Sequence, residues 1–468
     1  MFYQKLIQIK KILRLGKPQL FRVCSAKRLL FLGGFFILLT FSLIMSPQLA
    51  YSQVIRPDSA KLAEVVKKYR EYDNYTFLRT IKTVNLTNPD WELSYPVLRL
   101  KSGQTLQLSF DDLAEESENY QYAIYHMNMD WTAKDASFVE YASGFEINSI
   151  TDYESSYSAI TPYHHYKLEI PNDDIQLNIS GNYIIEVFKD DNSKPILRRR
   201  FVVYESKVSI EGDVMRAMTK NQGATSHKIP FTVDLNGLMV NDPYSEINVK
   251  ILPNNNWKKK HEGFQPLYIR GDQLVFKDRD ENVFEAGNEY RTINIKDLSY
   301  QAEMVASIQR INYDYHVKLK NDASRRYMRY MKHQDLNGQF FIEKSNSMTP
   351  DLDADYVYVY FTLDVEVPYL SGNLFVYGGL SDYTFGERNV MNYNAQKKRY
   401  ELSMLLKQGF YDYQYVVLDS YLNNKPNFAT IEGNHWETQN DYLVYVYMID
   451  LANGYHRVIG FKNLRTEF

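Results

Sequence analysis

Apolar and polar residues alternate along most of this chain, the period-two pattern of strands that face two different surroundings. Trp91–Leu100 (WELSYPVLRL) and Thr105–Phe110 (TLQLSF) bracket Ser102-Gly103, which reads as a hairpin turn. Tyr120–Asn128, Tyr166–Ile170, Tyr183–Lys189 and Pro195–Tyr204 continue the alternation. Short strands punctuated by turns predict an immunoglobulin-like sandwich over residues 74–204. Glu205–Ser209 reads as a junction. A β-rich middle module over 205–365 would follow, with strands that include His227–Leu235, Glu246–Leu252, Gln273–Phe276 and His316–Leu319. Lys320–Asp335 (KNDASRRYMRYMKHQD) breaks the alternation and reads as a loop with a basic helical turn or as a hairpin tip.

Tyr356–Tyr369 (YVYVYFTLDVEVPY) opens with strict Tyr/Val alternation and stops at Pro368, which cannot donate to a central ladder. A third module is expected over 366–468, built from Asn373–Gly378, Tyr400–Leu406, Gly409–Leu418 and Tyr442–Met448. Its rhythm is similar to the early-set immunoglobulin-like modules of glycogen- and starch-binding domains. The best helix candidate is Pro57–Tyr72, where Leu62, Val65, Val66 and Tyr69 recur at helical spacing behind an Asp58 cap. It lies in a short lead-in, residues 53–73.

The first 52 residues follow a different rule. Residues 1–28 carry eight Lys or Arg and no acid, Leu29–Met45 is an uncharged apolar run, and Ala50-Tyr51-Ser52 is a small-residue cleavage signal. That order predicts a secretory signal peptide cut before Gln53. At 17 residues the run sits at the short limit for a membrane span, the alternative being an uncleaved anchor. The expected fold is therefore all-β, tandem immunoglobulin-like β-sandwich modules after a cleaved signal peptide.

Composition narrows the setting. The chain has 40 Tyr and 25 Phe, residues suited to pleated surfaces. Its 54 Lys and Arg face 57 Asp and Glu, and losing the leader removes only cations, which leaves an acidic remainder. That argues against nucleic acid as a partner. The single cysteine, Cys24, leaves with the leader, so no disulfide or thiolate site is expected in the mature chain. A disulfide-free exported protein of this size suits a bacterial envelope. An outer-membrane barrel would need strands of about ten residues with a charge-free outer face. Ile247–Leu252 and Arg198–Val203 are shorter and charged.

No catalytic pattern stands out, and no enzyme, metal site or cofactor is expected. Asp351, Asp353 and Asp355 suggest a calcium loop, but Tyr356 and Thr362 occupy the positions where an EF-hand needs Gly and Glu. His164 and His165 are adjacent, so on a strand they point to opposite faces. Asp111, Asp112, Glu115 and Glu116 read as a solvated acidic loop rather than a glycosidase pair. Arg270-Gly271-Asp272 reads as a turn between strands. Aromatic residues in long connections are the remaining lead: Trp131, Tyr141 and Phe145 before the Tyr163 strand, and Tyr383 and Phe385 in residues 378–389. Loops on a rigid scaffold are common binding sites. Trp131, Phe145, Tyr383 and Phe385 are thus candidate partner contacts; the alternative is that they cap their own cores.

Four blocks carry a resemblance: Leu93–Leu113 (LSYPVLRLKSGQTLQLSFDDL), Thr151–Tyr166 (TDYESSYSAITPYHHY), Pro266–Phe276 (PLYIRGDQLVF) and Asn288–Ile295 (NEYRTINI). From about Thr76 to its C-terminus the chain resembles the plug protein family of the type IX secretion translocon of Bacteroidota. It departs from the family pattern at Met127, where cysteine is frequent, and at the second histidine of Tyr163–Tyr166. The resemblance implies a periplasmic, non-catalytic β-sandwich protein that binds the periplasmic mouth of a very large outer-membrane barrel and blocks its pore between export events. It assigns no contact residues. The C-terminal rhythm alone supports a second reading, a carbohydrate-binding accessory protein of the envelope. Exposed Tyr383, Phe385 and Tyr393 lining a shallow groove would favour it.

Overall fold

The chain divides into two units, residues 1–51 and 52–468. The computed structural model describes residues 54–467 except 58–59, 61, 65–66, 68–71, 219–221, 278–279, 371 and 420–423. The predicted leader lies outside the described residues, as do Asp58, Val65, Val66 and Tyr69 of the predicted helix. Residues 60, 62–64 and 67 are helical, and Leu62 is buried against Phe375, Tyr377 and Phe385.

The described chain is all-β. In the first sandwich, one sheet runs Tyr75–Thr76, Leu197–Tyr204, Gly181–Phe188, Gln121–Met127, Asn148–Ser149, and the other runs Ile81–Thr87, Leu106–Asp112, His164–Ile170, Asp152–Ser155. The alternation predicted for residues 105–110 holds: Leu106, Leu108 and Phe110 are buried, while Gln107 and Ser109 are half-buried. The expected hairpin does not form. Val97–Arg99 pairs in parallel with Leu197–Tyr204, and Leu106–Asp112 lies in the other sheet. Ser102-Gly103 turns the chain between sheets; a turn dipeptide sets a reversal, not the strand that pairs afterwards.

The two later modules are nested rather than consecutive. The second sandwich packs a sheet of Ser209–Gly212, Phe231–Asp234, Gln273–Phe276 and Tyr268–Arg270 on a sheet of Ile247–Pro253, Asp441–Ile449 and His456–Arg465. Apart from its edge strand Val54–Ile55, the third lies in sequence between Gln273–Phe276 and Asp441–Ile449. One of its sheets runs Val54–Ile55, Asn392–Asn394, Arg399–Lys407, Tyr356–Asp364, Asp314–Leu319, Val305–Ile311. The other gathers Arg291–Asn294, Phe340–Ile342, Gly372–Tyr377 and Lys425–Asn427 on the long Gly409–Asp419 strand. The sheets therefore do not divide at 365/366. Strands from Arg291–Asn294 to Tyr356–Asp364 join the third sandwich, and Asp441–Ile449 returns to the second through a seven-residue register with Ile247–Pro253.

Tyrosine fills these cores. The largest fully buried side chains are all tyrosines, Tyr122, Tyr166, Tyr183, Tyr413, Tyr442 and Tyr447 among them. Several hydroxyls reach partners at the core's edge: Tyr183 donates to the Ile179 carbonyl at 2.8 Å and Tyr447 to the Asn182 side chain at 2.9 Å. A ring can be buried deeply when its polar tip is satisfied.

Where sandwiches meet, the joints differ in character. The first and second share an apolar face: Ala123, Tyr125, Met127, Ile184 and Val202 pack against Leu252, Leu443, Tyr445, Tyr447 and Val458. Strands buried on both faces read as continuous apolar runs, as in Leu443–Met448 (LVYVYM). The first and third meet around a buried charge. Asp111 accepts hydrogen bonds from His165 Nδ1 at 2.6 Å, Tyr356 at 2.6 Å and Lys407 Nζ at 2.7 Å.

Within the second sandwich, His227 is fully buried between the Tyr442 hydroxyl at 2.7 Å and the Trp436 carbonyl at 2.6 Å. Such a site suits the neutral ring, with Nε2–H donating to the carbonyl and Nδ1 accepting from the hydroxyl. Burial lowers its pKa to about 4, against a small opposing effect of the carbonyl. The unfolded chain then takes up a proton below about 6.5 that the folded chain refuses, so stability falls between about pH 6.5 and 4. His227→Gln should flatten that fall. Urea midpoints at pH 7 and pH 4.5 measure it; an equal fall in the variant would place the acid sensitivity elsewhere.

Candidate partner interface

The four sequence candidates have different fates. Trp131 is 4% exposed at the joint of the first two sandwiches, edge-on to Trp257 with centroids 5.1 Å apart and with the Arg200 guanidinium 4.5 Å above its ring. Phe385 is fully buried, stacked on Tyr377 at 5.0 Å and edge-on to Phe375 at 5.2 Å. Neither offers a surface to a partner: each closes an internal apolar cluster, where a large ring gains more by burial than at a loop tip. Tyr383 is partly buried and donates to the Gly338 carbonyl at 2.8 Å. Phe145 alone of the four is on the surface, 68% exposed. Tyr393 is also buried, so Tyr383, Phe385 and Tyr393 form no open aromatic groove.

The acidic cluster is likewise different from expectation. Asp111 and Asp112 are buried at the end of the Leu106–Asp112 strand, not solvated. Asp112 accepts from the Tyr120 hydroxyl at 2.7 Å. His164 and His165 do point apart, to Ser155 and to Asp111. Arg270-Gly271-Asp272 connects Tyr268–Arg270 to Gln273–Phe276 as a turn. Asp351 and Asp353 lie in the one-turn helix Pro350–Asp353, and Asp355 accepts the Ile160 backbone N–H at 2.7 Å. Among the described residues no group of three or more His, Asp or Glu is placed to hold a metal ion.

The most conspicuous exposed patch is the basic loop at 324–335. It is neither helix nor hairpin but an irregular segment with a single turn closed by Met328 N–H on the Arg325 carbonyl at 3.0 Å. Apart from the Arg325 N–H on the Ile431 carbonyl at 2.8 Å, side chains hold it. Arg325 donates to Glu432 at 2.8 Å and to the Glu289 carbonyl at 2.7 Å. The Tyr330 hydroxyl donates to Glu289, His333 Nε2 to the Tyr290 carbonyl at 2.6 Å, and the Tyr290 N–H to Asp335. Burial raises Glu432's pKa, but Arg291 and Arg325 outweigh it and hold the carboxyl below its usual value. Between these anchors Tyr327, Met328 and Met331 are exposed, Tyr327 by 89%, together with Arg326 and Arg329.

The patch continues onto the second sandwich. Tyr330 lies 5.8 Å from the His435 ring, and the next residue, Trp436, carries the Arg216 guanidinium 4.7 Å over its face, beside exposed Met215 and Met218. Tyrosine, methionine and arginine together are the composition of protein interfaces, and methionine adapts to irregular partners. Sequence reasoning noted this stretch for its charge and missed its aromatic and methionine content. The signal was there: Arg326-Tyr327-Met328-Arg329-Tyr330-Met331 has no apolar periodicity that would bury it.

Residues 81–205, essentially the first sandwich, match the family model described as Type 9 secretion system plug protein 1st domain. A crystal structure of a hypothetical protein from Parabacteroides merdae is similar over 85% of this chain and 100% of its own, at 31% identity and a TM-score of 0.81. Dimeric latent PorU from Porphyromonas gingivalis aligns with 83% of this chain and 34% of its own at 11% identity, with a TM-score of 0.14, and carries no argument about the fold. No curated protein matches the chain.

Proposed function

The chain belongs to the type IX secretion system plug protein family, and from that we propose that it is a non-catalytic periplasmic plug, exported by a cleaved leader, that docks on the periplasmic mouth of the translocon's outer-membrane barrel and closes the pore between export events. The observation that carries this reading is the family match over residues 81–205, essentially the first sandwich. Physical chemistry supports it. A pore wide enough for folded proteins would leak solutes unless a rigid body fills it. Three sandwiches locked together by an apolar joint and a buried ion pair make such a body. The exposed 324–335 loop, with Met215 and Met218, supplies a surface of the composition that protein partners use. Exposed Phe145 marks a second, smaller patch.

The glycan-binding reading loses its main support, because the aromatic rings it needs are packed inside the third sandwich.

Deletion tests the plug. A strain lacking this protein should become permeable to large hydrophilic molecules such as vancomycin, and only while the barrel is present. Export of type IX substrates should largely continue. Uptake assays in single and double deletion strains measure this. Unchanged permeability with the barrel expressed and unoccupied would remove the plug reading.

A further inference from the structure

A cavity of about 410 Å³ lies where the first and third sandwiches meet. One wall is the chain from Tyr75 to Val84; the other comes from residues 379–389 and 403–407. Its volume is within the range of small-molecule sites, about 300–1,000 Å³. The wall mixes apolar side chains, Phe77, Leu380 and Met404, with charged ones.

The charges are unevenly committed. Asp382 accepts from Arg199 at 2.5 Å and from Thr76 at 2.7 Å, and Glu387 pairs with Arg79 at the exposed rim at 3.4 Å. Arg388 donates to the Leu78 carbonyl at 2.8 Å, also at the rim. Lys82 is half-buried, and its side chain makes no hydrogen bond or ion pair with any described residue. Burial and the nearby Arg388 charge lower its pKa, against a smaller raising effect of Asp382. A cation with no ionic partner, on a cavity that also carries apolar side chains, fits an anionic head group with an apolar body.

We propose that this cavity binds a small amphipathic anion, its carboxylate or phosphate head on Lys82 and its apolar body against Phe77, Leu380 and Met404. The ligand would touch both sandwiches and hold their joint closed. This site is independent of the plug reading and of the 324–335 loop.

Calorimetric titration of the mature full-length protein tests it, with octanoate, octyl phosphate, octylammonium and inorganic phosphate as probes. Octanoate or octyl phosphate should bind one per chain and raise the melting temperature, since a ligand that binds only the folded state stabilises it. Whichever binds more tightly identifies the head group. Octylammonium should not bind, and inorganic phosphate should bind at least tenfold more weakly than octyl phosphate. Lys82→Gln should weaken binding tenfold or more without lowering the melting temperature of the ligand-free protein, because it removes a desolvated, unpaired charge. Equal binding of octylammonium, unchanged affinity in Lys82→Gln, or no binding of either amphipathic anion would overturn the proposal.

Discussion

Asp111→Ala should lower the stability of the folded protein by about 3–5 kcal/mol, the cost of leaving one partner of a buried ion pair behind. Asp111 and the Lys407 side chain are both fully buried between the first and third sandwiches. Lys407 Nζ also donates to the Asp351 carbonyl at 2.7 Å and lies 4.0 Å from the centre of the Tyr163 ring. Without the carboxylate, a neutral carbonyl and a ring face would be its remaining company, and His165 and Tyr356 would lose their acceptor. Urea unfolding of the single variant measures the loss. Asp111→Asn combined with Lys407→Met removes both charges. It should cost less than the sum of the two single changes, since contacting groups are not additive. Additive losses, or a loss below about 1 kcal/mol for Asp111→Ala, would show that water reaches the pair and screens it.

The same pair sets an acid limit. Burial raises the Asp111 pKa, but Lys407 and His165 outweigh it, so the folded value lies below the usual one. A depressed carboxylate contributes stability that is present above its unfolded pKa, about 3.9, and lost as pH falls through the folded value. The gap between wild type and Asp111→Ala should therefore be full at pH 6 and shrink below about pH 4.

Strand identity was largely legible because alternation is a local property. The Leu106–Asp112 and Arg399–Lys407 strands lie where their patterns placed them. Nesting was not legible. The second sandwich depends on Ile247–Pro253 meeting Asp441–Ile449 across the whole third sandwich, and a period-two pattern says nothing about which distant strand pairs with it. Both strands are nonetheless buried along their length, a signal of coverage on two faces that could have set them apart from half-wet neighbours. The aromatic candidates failed for a related reason. Trp131 and Phe385 sit in connections, but one runs through the joint of the first two sandwiches and the other folds onto the third sandwich against Leu62 of the lead-in, and sequence position does not distinguish such buried connections from a loop tip. In the acidic run, Asp111 was hidden by its neighbours Glu115 and Glu116, which are solvated as expected. For Lys320–Asp335 the break in alternation and the basic charge were legible; its irregular form and its anchoring by Glu289 and Glu432, residues far apart in sequence, were not.

The surface of that loop should carry most of the docking energy if it meets the translocon barrel. Tyr327 and Met331 project from a backbone already held by Arg325, Tyr330 and His333, so little ordering entropy remains to be lost on binding. Interfaces concentrate their energy in a few aromatic and arginine residues, each contributing about 2 kcal/mol or more when truncated. Replacing Arg326, Tyr327 and Met331 together by alanine should weaken binding to the purified barrel complex by two orders of magnitude or more. All three are exposed and outside the anchoring network, so the melting temperature should stay within about 1–2 °C of wild type, as surface changes usually cost less than about 0.5 kcal/mol. In cells the same variant should reproduce the leak of the deletion strain at normal protein levels. Phe145→Ala in the smaller patch provides the comparison. Binding unchanged in the triple variant but lost in Phe145→Ala would move the contact to the first sandwich, while loss in neither would take docking away from both patches. The choice between them is physical: the 324–335 loop adds fixed cations to its apolar side chains, and a charged rim around an apolar centre both steers a partner and fixes its register.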